Sequence, residues 1–179
     1  GFVRDGHDFA PDAAARGAAA LCGERLLDLR VPQVVVPSVR WAMGSVASVF
    51  YGHPSARMLT VGITGTNGKT TSAFLVAHLL EHAGFPSGLL GTVERRIGGQ
   101  ALPAGRTTPE SLDLQRDFAQ MVTGGDKAAV MEVSSHALDL GRVRGIDFRA
   151  VAFTNLTQDH LDYHGTLEGD GTPFGRQNS

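Results

Sequence analysis

Residues 64–71 have the types and order of residues that bind a phosphate group, and they read Thr-Gly-Thr-Asn-Gly-Lys-Thr-Thr. Gly65 and Gly68 allow the backbone to turn tightly and to point its N–H groups inward. These donors, together with the positive end of a helix predicted to begin at Lys69, form a cradle for an anion. We expect Lys69 to reach the outer phosphates of a nucleotide and the Thr70 hydroxyl to bind Mg²⁺. We call residues 64–71 the phosphate loop.

The phosphate loop departs from the strict G-x-x-x-x-G-K-[ST] pattern, because its first glycine is replaced by Ile63. The strand–loop–helix context still matches that pattern. A glycine-rich turn with an exposed lysine is the other interpretation, and this context disfavours it. The loop therefore indicates a bound nucleotide phosphate without indicating which reaction follows. The predicted nucleotide-binding residues are Gly65, Thr66, Asn67, Gly68, Lys69, Thr70 and Thr71.

Polar residues also follow two other predicted strands. Glu132 ends a strand, and a carboxylate that faces the phosphate loop from there could hold Mg²⁺ directly or through water. Residues 155–164 contain a cluster of Asp and His, which suits a metal or phosphate site. The spacing in that cluster matches no common zinc motif. A solvated acid at Glu132, and capping or surface roles for the cluster, are the alternatives.

Residues 106–109, Arg-Thr-Thr-Pro, precede a predicted helix. Free N–H groups at its start and the hydroxyls of Thr107 and Thr108 could bind a phosphate or a carboxylate. An ordinary helix cap is the competing interpretation, because Thr107 and Glu110 have the spacing of a capping box. Two further arginines, Arg142 and Arg144, are either an anion clamp or surface charges.

The elements that must position these residues alternate along the chain. Glycine, proline and apolar periodicity predict strands at 58–64, 89–93, 128–133 and 150–155, and helices at 39–50, 69–82, 108–122 and from about 135. Such alternation predicts an α/β fold with a parallel sheet and right-handed crossovers. Each motif falls at the carboxyl end of a strand, where ligands bind in such sheets. Before them, an Ala-rich stretch over 8–22 and a strand at 34–36 make a small first segment. In the Ala-rich stretch Pro11 fits the first turn of a helix, which Gly17 interrupts.

The composition is that of an ordinary globular chain. The 179 residues are 42% hydrophobic and 19% charged, which argues against global disorder. A formal net charge of -2 leaves no basic footprint of a nucleic-acid or membrane binder. No apolar run reaches the roughly 18 residues of a membrane span. A single cysteine excludes an internal disulfide.

These motifs resemble the Mur ligase superfamily, and within it the MurE-type ligases. The resemblance runs through residues 1–168 and is most specific in four stretches, Gly65 to Thr71, Arg106 to Glu110, Glu132 to Leu138 and Phe153 to Gly165. It implies an α/β fold in which a small UDP-precursor-binding domain precedes an incomplete parallel-sheet ATPase domain with a P-loop. The implied spans are 1–56 for the first, 57–165 for the second, and 166–179 for a disordered or non-native tail.

The resemblance also implies ATP and Mg²⁺ as cofactors and assigns roles to single residues. Lys69, Glu132 and His160 would be catalytic, and Thr70, Glu132 and His160 would hold the metal ion. Contacts to the precursor would come from Thr107, Thr108, Ser134 and Arg142. Leu140 departs from the pattern, because some of these ligases have a substrate-contacting Gln there.

The implied function is ATP-dependent addition of meso-diaminopimelate or L-lysine to UDP-MurNAc-L-Ala-D-Glu through an acyl phosphate. We expect a cytoplasmic monomer whose partners are that precursor and a diamino acid, with no nucleic acid or membrane span. Past Glu168 the family continues into a helix with a carbamylated lysine, whereas this chain reads Gly-Asp-Gly-Thr-Pro. We therefore expect no ligation by this chain alone. The alternatives are another ligase of the superfamily, similar to cyanophycin synthetase, and a non-catalytic nucleotide-binding module.

Overall fold

The computed structural model of the chain describes residues 4–156. The chain divides into two compact units, Gly1–Ala42 and Met43–Ser179. This division falls before the predicted boundary between residues 56 and 57, and the placement of the functional domains stays a prediction. His160 and the predicted tail at 166–179 lie outside the described residues.

The first unit consists of short elements. A 3-10 helix at Gly6–Phe9 runs into helix α1 at Ala10–Ala15, and strands β1 at Leu21–Gly23 and β2 at Gln33–Val35 pair in parallel. The predicted interruption at Gly17 is confirmed, because α1 ends at Ala15 and Gly17 adopts a φ of 91°. Among residues 4–42, Ala10 alone is a buried hydrophobic residue.

Hydrogen bonds tie Asp5 and His7 to the residues that directly follow β1. The His7 Nδ1 atom lies 2.6 Å from Asp5 Oδ1, and His7 Nε2 accepts from the Glu24 N–H at 2.9 Å. Arg25 Nη2 donates to Asp5 Oδ2 at 2.8 Å. The His7 N–H, the His7 ring and the Arg25 guanidinium hold the pKa of Asp5 well below its ordinary value.

The second unit is a six-stranded sheet with helices against it. Its strands are β3 at Leu59–Thr64, β4 at Ser87–Leu90, β5 at Glu94–Ile97, β6 at Gln100–Pro103, β7 at Ala128–Glu132 and β8 at Ala150–Phe153. The strand order is β6-β5-β4-β7-β3-β8. The helices are α2 at Val39–Phe50, which begins in the first unit, α3 at Lys69–His82, α4 at Ser111–Gly124 and α5 at Ser135–Asp139. A 3-10 helix at Pro54–Arg57 leads into β3.

The sheet is mostly parallel, as predicted, and carries an antiparallel hairpin at one edge. Strands β4, β7, β3 and β8 are parallel, whereas β5 and β6 form an antiparallel hairpin on β4. Gly98 and Gly99 make its turn with φ angles of 57° and 76°, as a two-residue hairpin turn requires. The strand predicted over 89–93 does not extend to Val93, because β4 stops at Leu90 and the chain bends at Thr92.

The core lies on both faces of β7, which is buried along its whole length. Val130 packs with Ile63 and with α3 residues on one face. On the other face Met131 packs against α4 residues that include Phe118. Buried parallel strands of this kind hold the carboxyl edge of the sheet rigidly. Within residues 4–156, none of the helices has the length and apolar character needed to cross a membrane.

Candidate active site

The phosphate loop joins the buried strand β3 to helix α3. Gly65 and Gly68 have φ angles of 124° and 84°, which other residues rarely adopt. Within the described part of the chain, no side-chain hydrogen bond caps α3 at Gly68. Its first turn therefore presents backbone donors and the positive end of the helix dipole, a combination that suits an anion.

Lys69 is folded onto the phosphate loop. Its Nζ atom donates to the carbonyl oxygens of Gly65 and Thr66, both at 2.7 Å. These bonds hold a positive charge within the loop. Thr71, also predicted to bind nucleotide, lies exposed in the first turn of α3.

The residues that follow β8 form one wall of the phosphate loop. The Thr66 N–H donates to the Asn155 carbonyl at 2.9 Å, and Thr154 Oγ1 donates to the Asn67 carbonyl at 2.7 Å. A Cβ atom at Gly65 would collide with Thr154 Oγ1 and would lie 2.8 Å from the Asn155 carbonyl oxygen. Gly65 is therefore needed for both its backbone conformation and this close approach.

Glu132 is the centre of the site, and it is 1% exposed at the end of β7. Its Oε2 accepts from Thr70 Oγ1 at 2.9 Å. The Thr92 N–H donates to Glu132 Oε1 at 2.9 Å, and Thr92 Oγ1 lies 3.1 Å from Oε2. The carboxylate thus connects the phosphate loop with the turn that follows β4.

Thr108 is buried behind Glu132 and serves the structure. Its hydroxyl donates to the Glu132 carbonyl at 3.0 Å and accepts from the Ser134 N–H at 3.1 Å. The helix predicted to begin here starts only at Ser111, with extended Glu110 as its N-cap residue. The capping-box interpretation of Thr107 is therefore wrong, because Glu110 is itself the N-cap residue of α4 rather than its third helical residue.

Arg142 joins the same cluster. Its Nη1 donates to the Thr108 carbonyl at 3.2 Å, and its Nη2 lies 3.0 Å from Glu110 Oε1. Arg106 Nη1 lies 2.9 Å from the same carboxylate oxygen. The Ser134 hydroxyl accepts from the Ala137 N–H at 3.2 Å and so caps α5. Two guanidinium groups therefore converge on the Glu110 carboxylate beside the site.

An open cavity of about 470 Å³ lies between the β5–β6 hairpin, the 103–110 loop and α4. Its polar lining comes mainly from paired charges. Arg95 and Asp117 form a bidentate pair with N–O distances of 2.9 and 2.5 Å. The other charged residues of the lining are Arg106, Glu110, Asp113 and Arg116.

Most of the predicted site residues thus meet at the carboxyl edge of the sheet. The structure adds two that the sequence analysis did not single out, namely Gly91 and Thr92, whereas Asn155 belongs to the predicted 155–164 cluster. A Gly-Thr pair directly after a buried strand indicates a turn at the sheet edge. The strand predicted over 89–93 included Gly91 and Thr92, and therefore hid this turn. A Cβ atom at Gly91 would collide with Glu132 Oε1, so the glycine is part of the site.

Comparisons with known proteins agree with this geometry. The profile of the Mur ligase middle domain matches residues 63–169, more than half of the chain. A UDP-N-acetylmuramoyl-L-alanyl-D-glutamate–2,6-diaminopimelate ligase from Geobacillus thermodenitrificans is 55% identical over 168 residues, which are 94% of this chain and 34% of that protein. A solved ligase of the same name has a TM-score of 0.80 at 33% identity, covering 93% of this chain and 34% of its own.

A more distant solved structure shares the fold. MurF ligase from Thermotoga maritima, in complex with ADP, has a TM-score of 0.65 at 22% identity and covers 97% of this chain and 37% of its own. The chain spans about a third of the length of the curated relatives that it matches. On the evidence of the profile match and the fold, this chain belongs to the Mur ligase family.

Proposed function

We propose that this chain is part of an ATP-dependent ligase that joins a diamino acid to UDP-MurNAc-L-Ala-D-Glu in peptidoglycan biosynthesis. The observation that carries the proposal is the contact between Thr70 Oγ1 and Glu132 Oε2 beside the phosphate loop. This contact brings a hydroxyl and a carboxylate to the mouth of an anion-binding loop. The names of the relatives support the precursor and the diaminopimelate acceptor, with L-lysine as the other candidate acceptor.

ATP would bind through the phosphate loop. Its phosphates would meet the backbone N–H groups at the start of α3 and the Lys69 ammonium, which the loop carbonyls already hold in place. Lys69 would neutralise charge on the transferred phosphoryl group. Gly65 keeps the phosphate loop in the shape that this binding needs, since a Cβ atom there would collide with Thr154 Oγ1.

Mg²⁺ fits the oxygen atoms present at Thr70 and Glu132. Mg²⁺ prefers oxygen ligands and commonly keeps several water molecules, so two protein oxygens and the substrate phosphates suffice. Among residues 4–156 no group of three or more His, Cys, Asp and Glu side chains is gathered. When bound, the ion supplies charge neutralisation of the phosphates. His160 remains proposed as a further ligand and lies outside the described residues.

The reaction we propose needs no protein nucleophile. The terminal carboxylate of the precursor attacks the γ-phosphorus of ATP, which breaks the bond to ADP and forms an acyl phosphate. The amine of the diamino acid then attacks the acyl carbon and expels phosphate as the amide forms. The chain contributes by positioning and charge complementarity. Thr107, Ser134 and Arg142 would hold the precursor, and Thr108 would orient them from behind.

The remaining parts of the proposal follow from the substrates. Residues 1–56 would belong to the part that binds the UDP end of the precursor, and residues 57–165 to the ATPase domain. ATP and a nucleotide-linked precursor place the reaction in the cytoplasm. We propose that the protein acts as a monomer.

Nucleotide binding is tested first, by the melting temperature of the chain with and without MgATP. We expect a rise that Lys69→Ala abolishes and that Lys127→Ala, a control at an exposed lysine, retains. An equal rise in both variants would show that the phosphate loop is not the binding site.

Ligation is tested in the complete protein that contains this chain. ADP formation should require UDP-MurNAc-L-Ala-D-Glu and a diamino acid together, and should be lost with Lys69→Ala. ADP formation that is indifferent to the precursor would refute the proposed reaction. A protein that binds MgATP but never forms ADP would instead be the non-catalytic module.

A further inference from the structure

Thr92 follows β4 and contacts both Glu132, at the end of β7, and Thr107, in the loop before α4. Its N–H and hydroxyl engage the two carboxylate oxygens of Glu132, at 2.9 Å and 3.1 Å. The same hydroxyl lies 2.9 Å from Thr107 Oγ1. Thr92 therefore stands between the carboxylate proposed to hold Mg²⁺ and the loop proposed to hold the precursor.

The direction of these hydrogen bonds follows from the number of protons available. A hydroxyl carries one proton and a carboxylate can only accept. Thr92 therefore donates to Glu132 and accepts from Thr107. Thr70 donates to the same Glu132 oxygen from the opposite element. The result is a polarised chain that runs from Thr107 through Thr92 to Glu132.

The local backbone is shaped for this contact. Strand β4 ends at Leu90, and Gly91 then brings the backbone against Glu132 so closely that a Cβ atom would collide with Oε1. The Gly91 N–H donates to the Glu94 carbonyl at 3.0 Å, which holds the turn. Thr92 itself is exposed, so its side chain adds nothing to the apolar core. Its contacts are polar and are directed at Glu132 and Thr107.

We infer that Thr92 is a positioning residue, which orients the Glu132 carboxylate toward Thr70 for Mg²⁺ and couples it to the precursor loop through Thr107. This inference rests on the proposed function, since it concerns the same nucleotide site. Groups that hydrogen-bond a metal-binding carboxylate fix its orientation, and losing one lowers metal affinity by about tenfold or more. Replacing the Thr92 hydroxyl should therefore affect the Mg²⁺ dependence of nucleotide binding rather than nucleotide binding as such.

The experiment measures the affinity of the chain for ATP by calorimetry at a series of Mg²⁺ concentrations and in EDTA. Thr92→Val removes the hydroxyl at nearly constant shape, and Thr92→Ser retains it. Thr123→Val is the matched control, because Thr123 is exposed on α4 and its hydroxyl donates to the Ala119 carbonyl of the same helix at 2.9 Å. Thr92→Val should raise the Mg²⁺ concentration for half-maximal tightening about tenfold and leave the affinity in EDTA unchanged. Thr92→Ser and Thr123→Val should behave as the unsubstituted chain.

Three kinds of result would overturn the inference, and each can be told apart from the others. An unchanged Mg²⁺ dependence in Thr92→Val would show that the hydroxyl does not position Glu132. An equal loss of affinity in EDTA, or failure of Thr92→Ser to restore the Mg²⁺ dependence, would show a general structural role. Finally, no ATP binding by the unsubstituted chain, or full binding by Lys69→Ala, would refute the proposed nucleotide site and this inference with it.

Discussion

Asn155 and Asn67 are joined by two hydrogen bonds that close the phosphate loop, although they are 88 residues apart in sequence. The Asn67 N–H donates to Asn155 Oδ1 at 3.1 Å, and Asn155 Nδ2 donates to the Asn67 carbonyl at 3.0 Å. Because the backbone partners are a donor and an acceptor, the orientation of the Asn155 amide is determined. The Asn155 side-chain amide thus pairs with the backbone of Asn67 through one donor and one acceptor, and so links the end of β8 to the phosphate loop.

Asn155→Asp should weaken MgATP binding by about tenfold, or about 1.4 kcal/mol. The carboxylate can still accept from Asn67 but cannot donate to its carbonyl, and it adds a negative charge beside the bound phosphates. Calorimetric titration measures the change. Asn155→Ala, which loses both bonds without adding charge, should show a smaller loss. Wild-type affinity in both variants would mean that this pair does not organise the loop.

Gly91→Ala should lower the affinity for MgATP while leaving the melting temperature of the free chain nearly unchanged. Gly91 is not among the glycines with positive φ, so alanine can adopt its backbone conformation. Its methyl group would instead push the Glu132 carboxylate away from Thr70. Gly105→Ala is the matched control, because a Cβ atom there meets nothing within 4 Å. Equal affinities of the two variants would contradict the expectation.

Asp117→Asn should destabilise the second unit by about 1–3 kcal/mol, measured as the free energy of unfolding in urea. The Asp117 side chain is 2% exposed and holds Arg95 on the β5–β6 hairpin in a bidentate pair. The neutral amide leaves part of that guanidinium without an acceptor.

The control for Asp117 lies on the same helix. Asp113 pairs with Arg116 on a half-exposed surface of α4, so Asp113→Asn should change the free energy of unfolding by no more than about 0.5 kcal/mol. If the two substitutions destabilise the chain equally, burial of the Arg95–Asp117 pair is not what makes it important.

Asp126→Asn should raise the melting temperature relative to the unsubstituted chain by more at pH 7 than at pH 4. Burial raises the pKa of Asp126 above its ordinary value of 3.8, although the Gly98 N–H and the positive charge of Arg96 oppose this and Glu81 adds to it. The folded state then binds more protons than the unfolded state as pH rises above 3.8. Stability contributed by this group is therefore full below that pH and is lost as pH rises through the folded-state pKa.

Asparagine removes this pH dependence and can still accept from the Gly98 N–H, which donates to Asp126 Oδ2 at 2.8 Å. Thermal melting at several pH values measures the difference between the two chains. Asp28→Asn, at an exposed aspartate of the first unit, provides the comparison. A difference between Asp126→Asn and the unsubstituted chain that does not grow with pH would argue against the raised pKa.

The elements around the phosphate loop were predictable because their signals are local. Helix α3 runs over Lys69–His82 as predicted, since Gly68 before it and Gly84 after it both adopt positive φ. Strands β3 and β7 are short apolar runs, and their positions agree within a residue. In a parallel sheet the carboxyl ends of neighbouring strands meet at one edge. The convergence of Thr70 and Glu132 therefore followed from their places in the sequence.

The fine structure of the site depends on contacts between distant segments, which no local pattern encodes. The Thr108 hydroxyl bonds to the Glu132 carbonyl and the Ser134 N–H, and α4 begins at Ser111 rather than at the predicted Thr108. Thr92 left its predicted strand because the chain turns at Gly91 to form the hairpin on β4. Sequence periodicity reports which residues are apolar and at what spacing, whereas a hydrogen-bond partner 40 residues away, as Glu132 is for Thr92, is selected only when the sheet assembles.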